Sequence, residues 1–233
     1  MRSERIRLQC LLALAAVLPA RAGAQQQAAS TVLASEAIPD QISPEVFRHA
    51  LAAHKAATTE GKTTSLTLTI IDYSLPATQK RLWVVDVITR AVLESEYVAH
   101  GEGSGDLVPT QFSNLDGTHQ SSLGAFITGS SYEGVRGHSL RLYGLEPGIN
   151  DNAFSRGIVI HGTPGVSEAK ALKGSQGRTE GCPAVPNESA RRLIGRIANG
   201  SVVFAWYPDR AFLEKSGFLD REAAAERLGA MTQ

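Results

Sequence analysis

Residues 158–185 read IVIHGTPGVSEAKALKGSQGRTEGCPAV. The apolar run Ile158-Val159-Ile160 delivers His161 against Gly162, and a glycine-rich loop then returns Cys182 between Gly181 and Pro183. The β-branched run before His161 has the composition of a buried strand. A thiol with a histidine upstream, each at the edge of a recognisable element, is the pattern of an activated cysteine nucleophile. Imidazolium beside sulfur favours thiolate and lowers the thiol pKa from its free value of about 8.5. Gly181 permits close backbone approach, and the Gly181 and Cys182 amides are candidate oxyanion donors. His161 needs an orienting acceptor; no Asp or Asn adjoins it, so a backbone carbonyl such as that of Gly162 must serve. The competing reading of Cys182 is a small buried hydrophobe. Gly-Cys-Pro is not an apolar core pattern, which weighs against it.

The start of the chain reads as an export signal. Arg2, Arg5 and Arg7 precede a short apolar run, Cys10 to Pro19, and Ala22-Gly23-Ala24 fits a small-x-small cleavage site. That run is too short to span a bilayer. Residues 1–24 are therefore set aside, with a periplasmic or secreted location expected. A lipid anchor at Cys10 fits poorly, because Cys10 precedes the apolar run. Removing residues 1–24 takes Arg2, Arg5, Arg7, Arg21 and Glu4 from totals of 23 basic and 23 acidic residues, leaving a net charge of −3. Cys182 is then the only cysteine, in a compartment where disulfides form.

Outward from the central stretch, Ser43-Pro44-Glu45 is a helix start: a Ser cap, Pro at the first position and an acid in the first turn. The spacing predicts a helix from Pro44 to about Ala57. From Ser65 the period becomes two, with Leu66, Leu68 and Ile70 alternating with threonines. Residues 81–88 and 91–98 bracket Thr89-Arg90 as a hairpin. Residues 122–128, 138–145, 157–161 and 201–207 are further strands. Residues 187–198 read as a helix stopped by Asn199-Gly200, and 218–231 as a C-terminal helix. His100 to Gly105 reads as a flexible loop. Many short strands and few helices predict a mainly β domain, sandwich or barrel-like. The expected organisation is signal 1–24, polar linker 25–43, catalytic domain 44–210 and helical extension 211–233.

Several functions are disfavoured. No basic tail or Lys/Arg run remains for nucleic acid, and no later stretch has membrane-spanning length. No HxxH, HExxH or paired-Cys spacing supports a metal site, and no cofactor is expected. His119, in a polar loop, either lines the site or is merely solvated. His138 reads as structural, and His100 as a weak marker of a mobile lid.

IVIHG followed by GRTEGCPAV resembles the L,D-transpeptidase catalytic domain family, the YkuD-like fold. That signature is a histidine, a loop, then Ser/Thr-His-Gly-Cys; here 17 residues separate His161 from Thr179. The likeness is greatest to the subgroup with Gly-Cys-Pro-Ala-Val. It extends through SNLDGTHQSSLGAF (113–126) and SLRLYGLEPGINDNAFSRGIVIHG (139–162) to GSVVFAWY (200–207), covering 66–207. The resemblance implies that Cys182 is the acylated nucleophile and His161 its base. It further implies that the Gly162 carbonyl orients His161, that the Gly181 and Cys182 amides line the oxyanion hole, and that Thr179 fills the Ser/Thr position. Glu180 stands where the common signature has His, and Ala184 where many members carry Arg. Carboxylate recognition therefore passes to other residues. Arg156 and Arg178 are candidates, with Thr179, Glu180, Ser122 and His119 completing the expected substrate wall. The competing reading of Arg156 is a salt bridge to Asp151 or another acid that pins the turn. Glu180 is expected to face away from the sulfur or to meet a substrate amine.

The implied function is cysteine acyl transfer on peptidoglycan stem peptides, with carbapenems as acylating inhibitors. The alternatives are an amidase or carboxypeptidase using water, and a catalytically silent wall-binding domain.

Overall fold

The strand that begins the apolar alternation, β1 (Thr67–Asp72), is buried along both faces from Leu68 onward. Alternation predicts one wet face, and the difference has a physical cause. β1 lies between two neighbours, antiparallel to β2 (Leu82–Asp86) and parallel to β8 (Val202–Trp206). Helices α1 (Pro44–Thr59) and α3 (Asn187–Ile197) both pack on it.

The computed structural model describes residues 39–232, which lie in one unit, Ala37–Gln233. The expected export signal and residues 25–38 of the expected linker lie outside the described residues. At the head of α1 the Ser43 side chain makes no capping bond; its carbonyl accepts from Phe47 N at 2.9 Å, and Pro44 takes the first helical position.

Eight strands form one mixed sheet in the order β3-β2-β1-β8-β4-β5-β6-β7. The remaining strands are β3 (Val92–Glu96), β4 (Gly124–Gly134), β5 (Gly137–Gly144), β6 (Val159–Thr163) and β7 (Ala184–Pro186). The two ends of that order meet. Ala99, just beyond β3, bridges Ala184 of β7, with Ala99 N donating to Ala184 O at 2.7 Å. The sheet thus curls nearly closed, which gives the barrel-like, mainly β architecture its core of Leu68, Ile70, Val85, Leu140, Ile160 and Phe204.

Three local readings change. β4 continues past Thr128 to Gly134, because pairing with β5 carries the Gly/Ser-rich stretch through a bulge to the Val135-Arg136 turn. The β2–β3 turn is wider than two residues: Asp86 Oδ1 accepts from the Ile88 and Thr89 amides, and Arg90 takes φ 58°. At the C-terminus the expected helix over 218–231 starts at Arg221, and a short helix that was not expected precedes it. They are α4 (Arg210–Lys215) and α5 (Arg221–Ala230), capped by the Asp209 and Asp220 side chains, with Phe218 and Leu219 buried between them. The single-turn α2 (Glu168–Ala171) lies in the loop between β6 and β7.

Candidate active site

β6 brings His161 beside β7, where it pairs with Ala184; on its other side it lies opposite Ser139 of β5. Cys182 therefore emerges two residues before the β7 position that neighbours the histidine. The turn leading to it is tied by Thr179, whose hydroxyl donates to Cys182 O at 2.7 Å and accepts from Gly181 N at 3.2 Å. Gly181 adopts φ +119°, and a Cβ there would lie 2.9 Å from both Gln120 O and Ile158 Cδ1. A positive φ and this crowding both require glycine. Ser121, fully packed behind the turn, donates to Gly181 O at 3.0 Å. Thr179 also pairs with the chain beyond β3: its amide donates to His100 O and its carbonyl accepts from Glu102 N. The segment expected to be a flexible loop is thus a short 3₁₀ turn (Glu102–Ser104) built into the site's wall, and His100 is wholly buried.

His161 Nδ1 donates to Gly162 O at 2.8 Å, which leaves Nε2 buried without a partner. With Nδ1 protonated, Nε2 is the acceptor nitrogen. Cys182 is only 7% exposed. Its sulfur accepts from Val159 N at 3.5 Å and its S–H points to Gly157 O at 3.6 Å. Burial pushes the thiol above its ordinary pKa, partly offset by the Val159 amide and by the cations Arg136 and Arg156. Burial likewise pushes His161 down, against the pull of the Gly162 carbonyl and with help from Arg136. Both shifts favour a neutral thiol beside a neutral imidazole. This corrects the expected ion pair: the low-polarity setting that hides the sulfur opposes charge separation at rest. The Gly181 amide is engaged by Thr179, whereas the Cys182 amide makes no hydrogen bond among the described residues.

Comparison with known proteins gives the family. A family model for the L,D-transpeptidase catalytic domain matches residues 39–206. The chain belongs to the L,D-transpeptidase catalytic domain family. Among solved structures it is similar to an L,D-transpeptidase from Mycobacterium smegmatis, at 14% identity and TM-score 0.38, covering 61% of this chain and 59% of that one. It is also similar to the helical cell-shape determining protein Pgp2 of Campylobacter jejuni, at 13% identity and TM-score 0.43, covering 82% and 64%. A third is L,D-transpeptidase 3 from Mycobacterium tuberculosis in complex with a faropenem-derived adduct, at 13% identity and TM-score 0.40, covering 61% and 60%. The chain thus spans about three fifths of the Mycobacterium smegmatis protein's length. Among curated proteins no match is found.

Within this L,D-transpeptidase domain the remaining predicted residues divide. Arg156 is a strut: Nη1 donates to Ser113 O and Ser122 Oγ at 2.6 Å, and Nη2 to Gln120 O at 2.7 Å. It makes no bridge to Asp151, whose carboxylate accepts instead from Asn114 and Gly148. Ser122 is buried and its hydroxyl donates to Ser113 O at 2.8 Å, so it serves the same loop. Arg178 faces Asp106 and Gly105 O, lining a separate cavity of about 300 Å³ with His100 and Gln176. His119 is half-exposed and bonds Glu102 at 2.8 Å. Glu180 is exposed and meets Arg136 at 2.6 Å. Sequence reading missed Arg136, which influences both His161 and Cys182. Its one local cue was the flanking Gly134 and Gly137, which mark a tight turn. Among the described residues no group of three or more His, Cys, Asp or Glu side chains is placed to hold a metal ion. No helix there is long and apolar enough to cross a membrane.

Proposed function

We propose that this chain is an exported L,D-transpeptidase that acts on peptidoglycan stem peptides through a thioester at Cys182. The observation that carries the reading is His161: its Nδ1 is anchored on Gly162 O at 2.8 Å, and its basic Nε2 is buried and unpartnered on the strand next to Cys182. A neutral imidazole held in one tautomer is a general base awaiting a proton. At rest the S–H is turned to Gly157 O, so it must first swing from that carbonyl towards Nε2. Attack then forms the Sγ–C bond while the thiol proton passes to His161. Collapse breaks the C–N bond, and His161 returns that proton to the departing amine, D-alanine in a tetrapeptide. An acceptor amine reverses the sequence, and water in its place gives hydrolysis. The Cys182 amide is the donor left for the oxyanion. Location outside the cytoplasm follows from the export signal read at 1–24.

The test is intact mass after incubation with a carbapenem. One adduct on the wild type, absent from Cys182→Ala, is expected. An adduct that survives the substitution places the nucleophile elsewhere. Products of tetrapeptide turnover, cross-linked or hydrolysed, then separate transpeptidase from carboxypeptidase.

A further inference from the structure

Arg136 occupies the two-residue turn between β4 and β5, and its Nη2 lies 2.6 Å from Oε2 of Glu180. Both side chains remain well exposed, at 46% and 60%. Neither segment needs this pair for its shape. The hairpin is closed by backbone pairing of Gly134 with Gly137, and the turn before Cys182 is closed by Thr179. What the pair does is join the hairpin tip to the loop of the nucleophile, two residues from Cys182.

The other candidate cations are committed elsewhere. Arg156 directs its Nη donors to Ser113, Ser122, Gln120 and Thr118. Arg178 is held by Asp106 and Gly105. Arg136 spends one donor on Glu180, from a fork that presents five. A planar guanidinium on a carboxylate two residues from Cys182, with donors to spare, has the geometry of a carboxylate receptor filled by an internal ligand.

We propose that Arg136 receives the C-terminal carboxylate of the residue that departs from the donor peptide, and that Glu180 occupies this guanidinium until the peptide displaces it. The proposal rests on the acyl-transfer reading of Cys182. One carboxylate replaces another on the same fork, so displacement is nearly balanced for an acid-terminated peptide. It is uncompensated for a peptide lacking that charge. The pair therefore selects chain ends over internal bonds, and it supplies the positive charge that Ala184 does not.

The experiment measures Cys182 acylation by intact mass, with a tetrapeptide ending in D-alanine and with the same peptide ending in D-alaninamide. The wild type is expected to favour the acid by about fivefold, the upper worth of an ion pair on this exposed fork. Arg136→Gln should collapse that ratio towards one through KM, and Arg136→Lys should restore part of it. Glu180→Gln, which removes only the internal competitor, should tighten binding of the acid by up to about fivefold, given the small worth of an exposed ion pair. Equal acylation by both peptides in the wild type, or an Arg136→Gln variant that keeps the wild-type ratio, overturns the assignment while leaving acyl transfer intact. Absence of an adduct with either peptide overturns the acyl-transfer reading and the assignment with it.

Discussion

Replacing His49 by Phe should stabilise the protein, and increasingly so in acid. His49 lies within α1, fully buried, its ring stacked on Trp206 with centroids 4.4 Å apart. Neither ring nitrogen finds a partner among the described residues. Burial holds its pKa down at about 4, with Asp220 pulling upward and Arg48 and Arg227 downward. The sign follows from proton uptake. The unfolded chain binds a proton near pH 6.5 and the folded one only near 4. Between these values the unfolded state binds more protons, so stability is full above pH 6.5 and declines as pH falls towards 4. A shift of this size corresponds to about 3 kcal/mol. At pH 7 the gain from Phe is about 1–3 kcal/mol, because an unpaired buried polar group is removed. Urea denaturation of both proteins at steps from pH 7 to pH 4 reads the difference. It should widen by about 3 kcal/mol across that range. The comparison between variants matters, because His100 is also held at about 4. Asp72 and Glu146, pushed up by burial, gain stability on acidification and act in the opposite sense. A wild-type–variant difference that stays constant from pH 7 to pH 4 refutes a neutral, unpaired His49.

Iodoacetamide alkylation of Cys182 against pH should show an inflection at or above the ordinary thiol value of about 8.5, because burial is the largest influence on the sulfur; an inflection well below it would restore a resting ion pair. Arg156→Gln strips donors from Ser113 O, Ser122 Oγ and Gln120 O and should cost about 1–3 kcal/mol of stability, lowering the melting temperature and Cys182 acylation together. Lost acylation with unchanged melting would instead make Arg156 a substrate clamp.

The elements of the fold were largely legible, because each is set by local pattern. Pro44 after Ser43, the β-branched runs at 158–160 and 202–204, and Asn199-Gly200 after α3 all act within a few residues. What was not legible depends on which strands become neighbours. The two buried faces of β1 follow from lying between β2 and β8, which no alternation in residues 66–72 encodes. The start of α5 at Arg221 follows from Asp220 capping it through Ala223 N, and the short α4 before it from Asp209 capping through Phe212 N, side-chain bonds that the apolar spacing of 218–231 does not mark. At the site, His161 and Cys182 were readable because glycines and a strand end mark them. Arg156 was readable as near the chemistry but not as a strut, since its acceptors are carbonyls of a loop more than thirty residues away. Arg136 was hidden for the same reason: its distance to Glu180 is a product of β4–β5 register, and the two lie 44 positions apart.

The position of Cys182 is fixed by the closure of the barrel more than by its own loop. Arg81 is fully buried, with Nε and Nη2 donating to Val98 O, Nη1 to Leu75 O, and Nη2 to His100 Nδ1 at 2.7 Å. Burial lowers its pKa only to about 10, so the side chain stays charged at neutral pH. A buried cation is tolerable when carbonyl dipoles surround it, and here one of them, Val98 O, belongs to the segment that closes the sheet. Accepting from Arg81 fixes His100 with its proton on Nε2, directed at Gly105 O. The same residue's carbonyl takes the Thr179 amide at 2.9 Å, and Thr179 Oγ1 holds Cys182 O at 2.7 Å. The bridge from Ala99 to Ala184 runs alongside. A side chain on a glycine-rich loop is ordinarily less precisely held than one on a strand or helix. Pinning both ends of its turn to the seam of the nearly closed sheet, Thr179 to His100 and Ala184 to Ala99, ties the position of the thiol to the core.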